Sequence, residues 1–146
     1  MKIVGAGRRY FGMVVAGCLL AGCFVPVYYA YKAYETDKMV GIAVTINRPA
    51  PEIYDLVIQT IEKRQIYKIV ERDDKNMVVS VEKIANPKET GTVTVSALSP
   101  KSCRYAAVGP KVEGVDPAVQ KNDALNAVLT ICTELGHACT PEEEKK

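Results

Sequence analysis

The stretch MVGIAVTINRPAPEIYDLVIQTIEKR, residues 39–64, decides the fold because its apolar period changes once. In residues 39–47 apolar side chains occupy every second position, which predicts a half-buried strand. From residue 50 onward they recur every three to four positions, which predicts an amphipathic helix. Pro49 and Pro51 stand where such a helix can begin, since its first N–H groups have no intrahelical acceptor. The stretch therefore predicts a strand that leads directly into a helix.

The side chains expected in the core follow from these two periods. The strand should turn one face to the core, made of Val40, Ile42, Val44 and Ile46. The helix should bury a stripe made of Ile53, Val57 and Ile61, with Leu56 and Ile58 beside it.

Four more strands and a second helix are predicted downstream. The strand patterns are IYKIVER (66–72), MVVSVEKI (77–84), TVTVSAL (92–98) and CRYAAVG (103–109). The last helix should begin at Asp116 and Pro117, an N-cap residue followed by proline at the first helical position, and stop near Gly136. Its expected apolar face is Leu125, Val128, Leu129, Cys132 and Leu135.

This order, β-α-β-β-β-β-α, predicts an α+β domain over residues 39–136. Consecutive hairpin-linked strands favour an antiparallel sheet of about five strands, with both helices on one face. The other face is rich in Ser, Thr, Lys and Glu, so it is either solvated or a partner surface. Residues 137–146 are expected to form a charged tail.

The N-terminal segment has the composition of an export signal. Lys2, Arg8 and Arg9 precede an uncharged run over residues 10–31, which contains the tetrapeptides VAGC and LAGC. LAGC, residues 20–23, resembles the lipobox of bacterial lipoproteins. The resemblance implies that Cys23 is lipidated and that the chain is cut between Gly22 and Cys23.

Three alternatives to this reading remain open. VAGC would place the lipid on Cys18 instead of Cys23. The run over residues 10–31 is also long enough for an uncleaved membrane anchor, because a spanning helix needs about 20 residues. The residues Arg8-Arg9-Tyr10-Phe11 are similar to the twin-arginine export signal, although Gly12 departs from it.

The preferred reading divides the N-terminal part into a signal peptide, residues 1–22, and a lipidated, tyrosine-rich tether, residues 23–38. By resemblance to the enterobacterial sorting pattern, Phe24 after the cysteine favours the outer membrane over the inner one. The domain would then sit in the cell envelope, on the periplasmic face of the outer membrane, with the membrane as a partner through its lipid anchor.

Charge argues against nucleic acid as a partner. The chain carries 19 basic and 17 acidic residues, and three of the basic ones are in the signal. The remaining chain is close to neutral and has no basic patch typical of nucleic-acid binding.

Three cysteines lie beyond the signal, and an exported compartment permits disulfides. Cys103 opens the last predicted strand, Cys132 lies on the last helix and Cys139 follows it. We expect Cys103–Cys139, with Cys103–Cys132 as the second choice. Cys132–Cys139 would be about 10 Å apart in an unbroken helix, so that pair requires Gly136 to reverse the chain.

Motifs for catalysis or metal binding are not recognisable. His137 is the one histidine of the chain, and no C-x-x-C motif accompanies it, so we expect no metal site. No base and orienting group mark any cysteine as a nucleophile. We therefore predict that the domain is not an enzyme and has no cofactor.

The whole pattern resembles small uncharacterised bacterial lipoproteins that carry an α+β domain of unknown function. This resemblance implies a membrane-anchored envelope protein whose domain binds an envelope protein partner. VTINRPAPEIYDLV, residues 44–57, is similar to the first strand and helix of START-like lipid-binding domains, whose long C-terminal helix closes a cavity. The alternative function is therefore a small module for a lipid or another apolar ligand.

Overall fold

The structure, a computed structural model, describes residues 26–142. In chain order the elements are β1 (Val27–Glu35), β2 (Met39–Ile46), α1 (Ala50–Arg64), β3 (Tyr67–Asp73), β4 (Val78–Lys83), β5 (Thr90–Ser99), β6 (Ser102–Pro110), α2 (Pro117–Glu134) and β7 (Cys139–Pro141). The α+β class, both helices and all five predicted strands are confirmed.

The strands of the described part form one seven-stranded sheet in the order β3-β4-β5-β6-β2-β1-β7. All neighbours are antiparallel except β1 and β7, which run parallel. The prediction of about five strands is therefore corrected to seven, with β1 and β7 added at one edge.

Strand β1 lies where a tether was expected. Val27 and Tyr29 are buried, and β1 pairs with β2 from Tyr29 to Glu35. The start of the strand is also held by Asn47, whose side chain accepts from Tyr28 N at 2.7 Å and donates to Pro26 O at 2.8 Å. The tether prediction is wrong for these residues, because pairing with β2 and burial of Val27 and Tyr29 make them part of the sheet.

The core lies between one face of the sheet and the two helices. The predicted face of β2 is confirmed, since Val40, Ile42, Val44 and Ile46 are all buried. Helix α1 packs against β3, β5 and β6, whereas α2 packs against β2 and β7, and the two helices touch each other. The side chains that α1 buries are Ala50, Ile53, Tyr54, Val57 and Ile58.

Helix α2 begins as predicted, because the Asp116 carboxylate accepts from Ala118 N at 2.9 Å. Its buried face is rotated slightly from the expected one. Val128, Ile131 and Cys132 are buried, whereas Leu129 is 38% exposed. The apolar stripe follows positions 124, 128, 131 and 135, so Leu129 lies at its margin.

The end of α2 is a Schellman turn centred on Gly136. Gly136 has φ +76°, its N–H donates to Thr133 O at 3.0 Å, and His137 N donates to Cys132 O at 3.2 Å. This left-handed glycine reverses the chain and directs β7 back alongside β1. The expected tail therefore contributes a strand, Cys139–Pro141, to the sheet.

Candidate functional site

The predicted lipidation site lies outside the described residues. Cys23, the Gly22–Cys23 bond and the alternative Cys18 all fall in residues 1–25. Neither helix within residues 26–142 is long and apolar enough to cross a membrane. Lipidation and the envelope location therefore stay predictions.

The described cysteines pair differently from the preferred expectation. Cys132 and Cys139 form a disulfide, with Cα atoms 5.4 Å apart. Cys103 is buried and unbonded, so both Cys103–Cys139 and Cys103–Cys132 are corrected. The physical reason is the turn at Gly136, which brings residue 139 back to the helix it has just left.

The remaining thiol, that of Cys103, is protonated and unreactive. Burial, with a smaller contribution from the Glu52 carboxylate, raises the pKa of Cys103 to about 12. A thiol with this pKa is almost entirely protonated at neutral pH and is a poor nucleophile. Within residues 26–142 no three His, Cys, Asp or Glu side chains are grouped as metal ligands.

A cleft lies between the sheet and the two helices. It lies at the end of the interface where α1 finishes and α2 begins, and it has two compartments. Both compartments are lined by Ile61, Tyr67, Asp123 and Ala127. Because they share these walls, we treat them as one cleft.

The narrow compartment has a volume of about 120 Å³ and a mainly apolar lining. Its floor is the helix-facing side of the sheet, formed by Val40, Val81, Val93 and Ala107. Ala124 and Ala127 of α2 lie above it. These small side chains leave the space open.

Gly109, at the end of β6, also lines the narrow compartment. A Cβ atom there would lie 2.3 Å from Thr90 O of the neighbouring strand. The position therefore requires glycine, and the sheet below the cleft stays closely paired.

The wide compartment measures about 290 Å³, and its lining is also mainly apolar. Its lining includes hydroxyl and amide side chains, namely Thr60, Asn126 and Thr130. Three charged side chains also reach it: Arg64, Lys83 and Asp123. The lining of both compartments is therefore mainly apolar, and the wide compartment adds two cationic side chains, Arg64 and Lys83.

An ion cluster stands where the two compartments meet. Lys83 Nζ lies 3.0 Å from Glu89 Oε2 and 3.6 Å from Asp123 Oδ2. The hydrogen bond to Glu89 raises the pKa of Lys83, so the ammonium stays charged. Burial raises the pKa of the neighbouring Tyr67 phenol, which is therefore neutral at physiological pH.

Two buried polar atoms of cleft residues have no hydrogen-bond partner among the described residues. They are Thr60 Oγ1, from the wide compartment, and Gln120 Oε1, from the narrow one. The Gln120 amide N–H donates to Pro110 O at 3.3 Å, which fixes the orientation of the amide. Each atom has less than 1 Å² of accessible surface, so both lie behind the walls of the cleft and do not face its open space.

Sequence reasoning did not identify this cleft. Its signal was the small residues Ala124 and Ala127 on the core side of the last helix, opposite Ala107 and Gly109 of the last long strand. Small residues leave space only where the fold places them opposite each other. The sequence alone does not give the register that decides this.

No family model and no curated protein matches the chain. Among solved structures the chain is similar to the Zhui aromatase/cyclase of a Streptomyces species, with 9% identity and a TM-score of 0.37. The match covers 74% of this chain and 87% of that one. At this level of similarity it assigns neither activity nor ligand to this chain.

One prediction is corrected by this comparison. We predicted that the domain is not an enzyme, but the solved protein that the chain resembles is an enzyme. The exclusion of catalysis is therefore contradicted and withdrawn.

Proposed function

We propose that this domain binds a small apolar or amphipathic molecule in the cleft between its sheet and helices. The observation that carries the proposal is the cleft itself, an apolar floor under two helices with hydroxyl, amide and charged side chains in its wide compartment. Ligand sites are typically concave, mostly apolar and supplied with a few polar groups. Their usual volume is about 300–1,000 Å³, so the two compartments together lie at the lower end of that range.

The seven-stranded sheet makes this function more plausible than the predicted five strands did. The floor of the narrow compartment is contributed by β2, β4, β5 and β6. Because β1 and β7 extend the sheet beyond β2, the floor lies in its interior, away from both edges.

Alanine methyl groups allow a direct test on the full chain. Ala107, Ala124 and Ala127 line the cleft, whereas Ala30, Ala43 and Ala106 lie on the opposite face of the sheet. We expect NMR titration of alanine-labelled protein with 1-octanol to shift the first set and leave the second unchanged. Shifts spread equally over both faces would contradict the proposal.

A matched pair of variants on α2 controls this experiment. Ala127→Phe fills the cleft and should abolish the octanol-induced shifts. Val119→Phe changes a side chain that is 52% exposed on the same helix and should leave the shifts intact. An amphipathic polymer would keep the full chain, with its apolar N-terminal segment, in solution. All samples would contain the same polymer, so that octanol partitions into it equally in each.

We further propose that the domain is held in the cell envelope by a lipid on Cys23. The sequence LAGC supports this, as does the basic, then uncharged, segment before it. Intact mass and N-terminal peptide analysis of protein from native membranes should find a chain that starts at acylated Cys23. A chain that starts at Met1, or is acylated at Cys18, would contradict this proposal. In-cell crosslinking tests for an envelope protein partner.

A further inference from the structure

Arg64 is a charged side chain of the cleft that has no ion-pair partner among the described residues. It lies in the last turn of α1 and lines the wide compartment. Its neighbour Lys63 points elsewhere and forms an ion pair with Glu134 at 3.3 Å. The two adjacent cations therefore have different surroundings, and only Arg64 is directed to the cleft.

The other charges of the cleft are already neutralised or negative. Lys83 is held by Glu89 and Asp123, so its ammonium has two carboxylate partners. Glu89 and Asp123 also line the narrow compartment, which has no cation in its lining. The cleft therefore has two carboxylates beside its apolar floor and the Arg64 cation in its wide compartment.

We infer that the cleft selects small amphiphiles with an anionic head, with the head beside Arg64 and the apolar body over the sheet. An arginine can hold a carboxylate through two parallel N–H···O bonds. Thr60 stands four residues before Arg64 on α1, so both lie on one face of the helix, and both line the wide compartment. This inference rests on the proposed function and adds the chemical class of the ligand.

The volume of the narrow compartment limits the apolar body. An apolar cavity of about 150 Å³ in another protein holds one benzene molecule. The compartment of about 120 Å³ therefore suits a single ring or a short alkyl chain, and a long diacyl lipid would not fit. A medium-chain carboxylate such as octanoate is an appropriate probe.

The test compares octanoate with 1-octanol, two probes that share an alkyl length and differ in head charge. Dissociation constants at neutral pH would be measured on the full chain from the cleft alanine methyl shifts. We expect the wild type to bind octanoate about 2- to 5-fold more tightly, the range for an ion pair formed by an exposed arginine. Arg64→Gln should remove this preference and leave octanol binding unchanged.

Lys63→Gln is the matched control, because it removes the same charge one residue away. It should retain the preference for octanoate. If Lys63→Gln and Arg64→Gln lose the preference equally, a general surface charge is responsible and the inference is overturned. If the wild type binds both probes equally, the inference fails while the proposed function stands. If neither probe shifts the cleft methyls, the proposed function fails as well.

Discussion

The two ends of the sheet–helix interface differ in the size of the side chains they bring together. At the closed end, Ile46, Ile53 and Val128 are fully buried and Cys132 is almost so. At the open end, the corresponding layers carry Ala107, Gly109, Ala124 and Ala127, and the cleft remains between them. The same strands and helices run through both ends.

This difference shows how one small core can support both stability and binding. Large side chains fill the layer at the closed end, and burial of each contributes about 1.5–3 kcal/mol. Small ones at the open end leave room for a guest. The first and third predictions below compare the two ends directly, the second concerns the closed end, and the fourth concerns an ion pair near the open end.

The largest expected contrast comes from one isoleucine at each end of α1. Ile53→Ala should lower the free energy of unfolding by about 2–5 kcal/mol, because it opens a cavity in a filled layer. Ile61→Ala should cost about half as much, since Ile61 already borders the cleft and is only partly buried. Urea denaturation measures both, and equal losses would erase the distinction between the two ends.

The disulfide should be the next largest contributor, and it belongs to the closed end. Cys139→Ser should lower the free energy of unfolding by about 2–3 kcal/mol, the value for a short closed loop. A reducing agent should destabilise the wild type to the same extent and leave Cys139→Ser unaffected. If reduction leaves the urea midpoint of both the wild type and Cys139→Ser unchanged, the disulfide does not stabilise this end.

Enlarging an alanine should change stability more at the closed end than at the open end. Ala50→Leu adds volume to a residue that is 1% exposed and should cost about 1–3 kcal/mol. Ala127→Leu extends into the cleft and should change stability by less than about 1 kcal/mol while it weakens octanol binding. Thermal unfolding and methyl titration check the pair, and similar costs would mean that the cleft has no free space.

The smallest effect concerns an ion pair near the start of α2. Hydrogen bonds from Lys121, and then from Lys111, lower the pKa of Glu35. A carboxylate with a lowered pKa stabilises the fold above its unfolded pKa, and this contribution is lost as the pH falls through the folded value. Glu35→Gln should therefore reduce the change in urea midpoint between pH 7 and pH 3. An unchanged difference would show that solvent screens the pair completely.

Periodicity predicted the interior of the fold and failed at its edges. Strand β2 alternates so regularly that its buried face follows from the residues. Helix α1 follows its predicted stripe in part, because Ile61 is only partly buried and Tyr54, which was not predicted, is buried. Strand β1 was missed because its burial is uneven, with only Val27 and Tyr29 buried and most of its other side chains exposed. Strand β7 has three residues, too few for any period to appear.

Neither the cysteine pairing nor the cleft could be predicted from the sequence, because both depend on more than local chain geometry. Gly136 was identified as the helix stop, but its effect on cysteine pairing depended on the direction in which the chain leaves the turn. The cleft depends on residues such as Ile61, Val93 and Asp123, which are far apart in sequence and meet only when the two helices pack on the sheet. Their proximity is a tertiary property, so no local pattern contains it.

The position of β1 has a mechanical consequence. Its first residue, Val27, follows residue 23 by four positions, a span of about 14 Å at full extension. A pulling force on the preceding chain would therefore act along β1 and strain its hydrogen bonds to β2 and β7 in shear. Those bonds share the load along the strand, so resistance to force should reside at this edge of the sheet, far from β3.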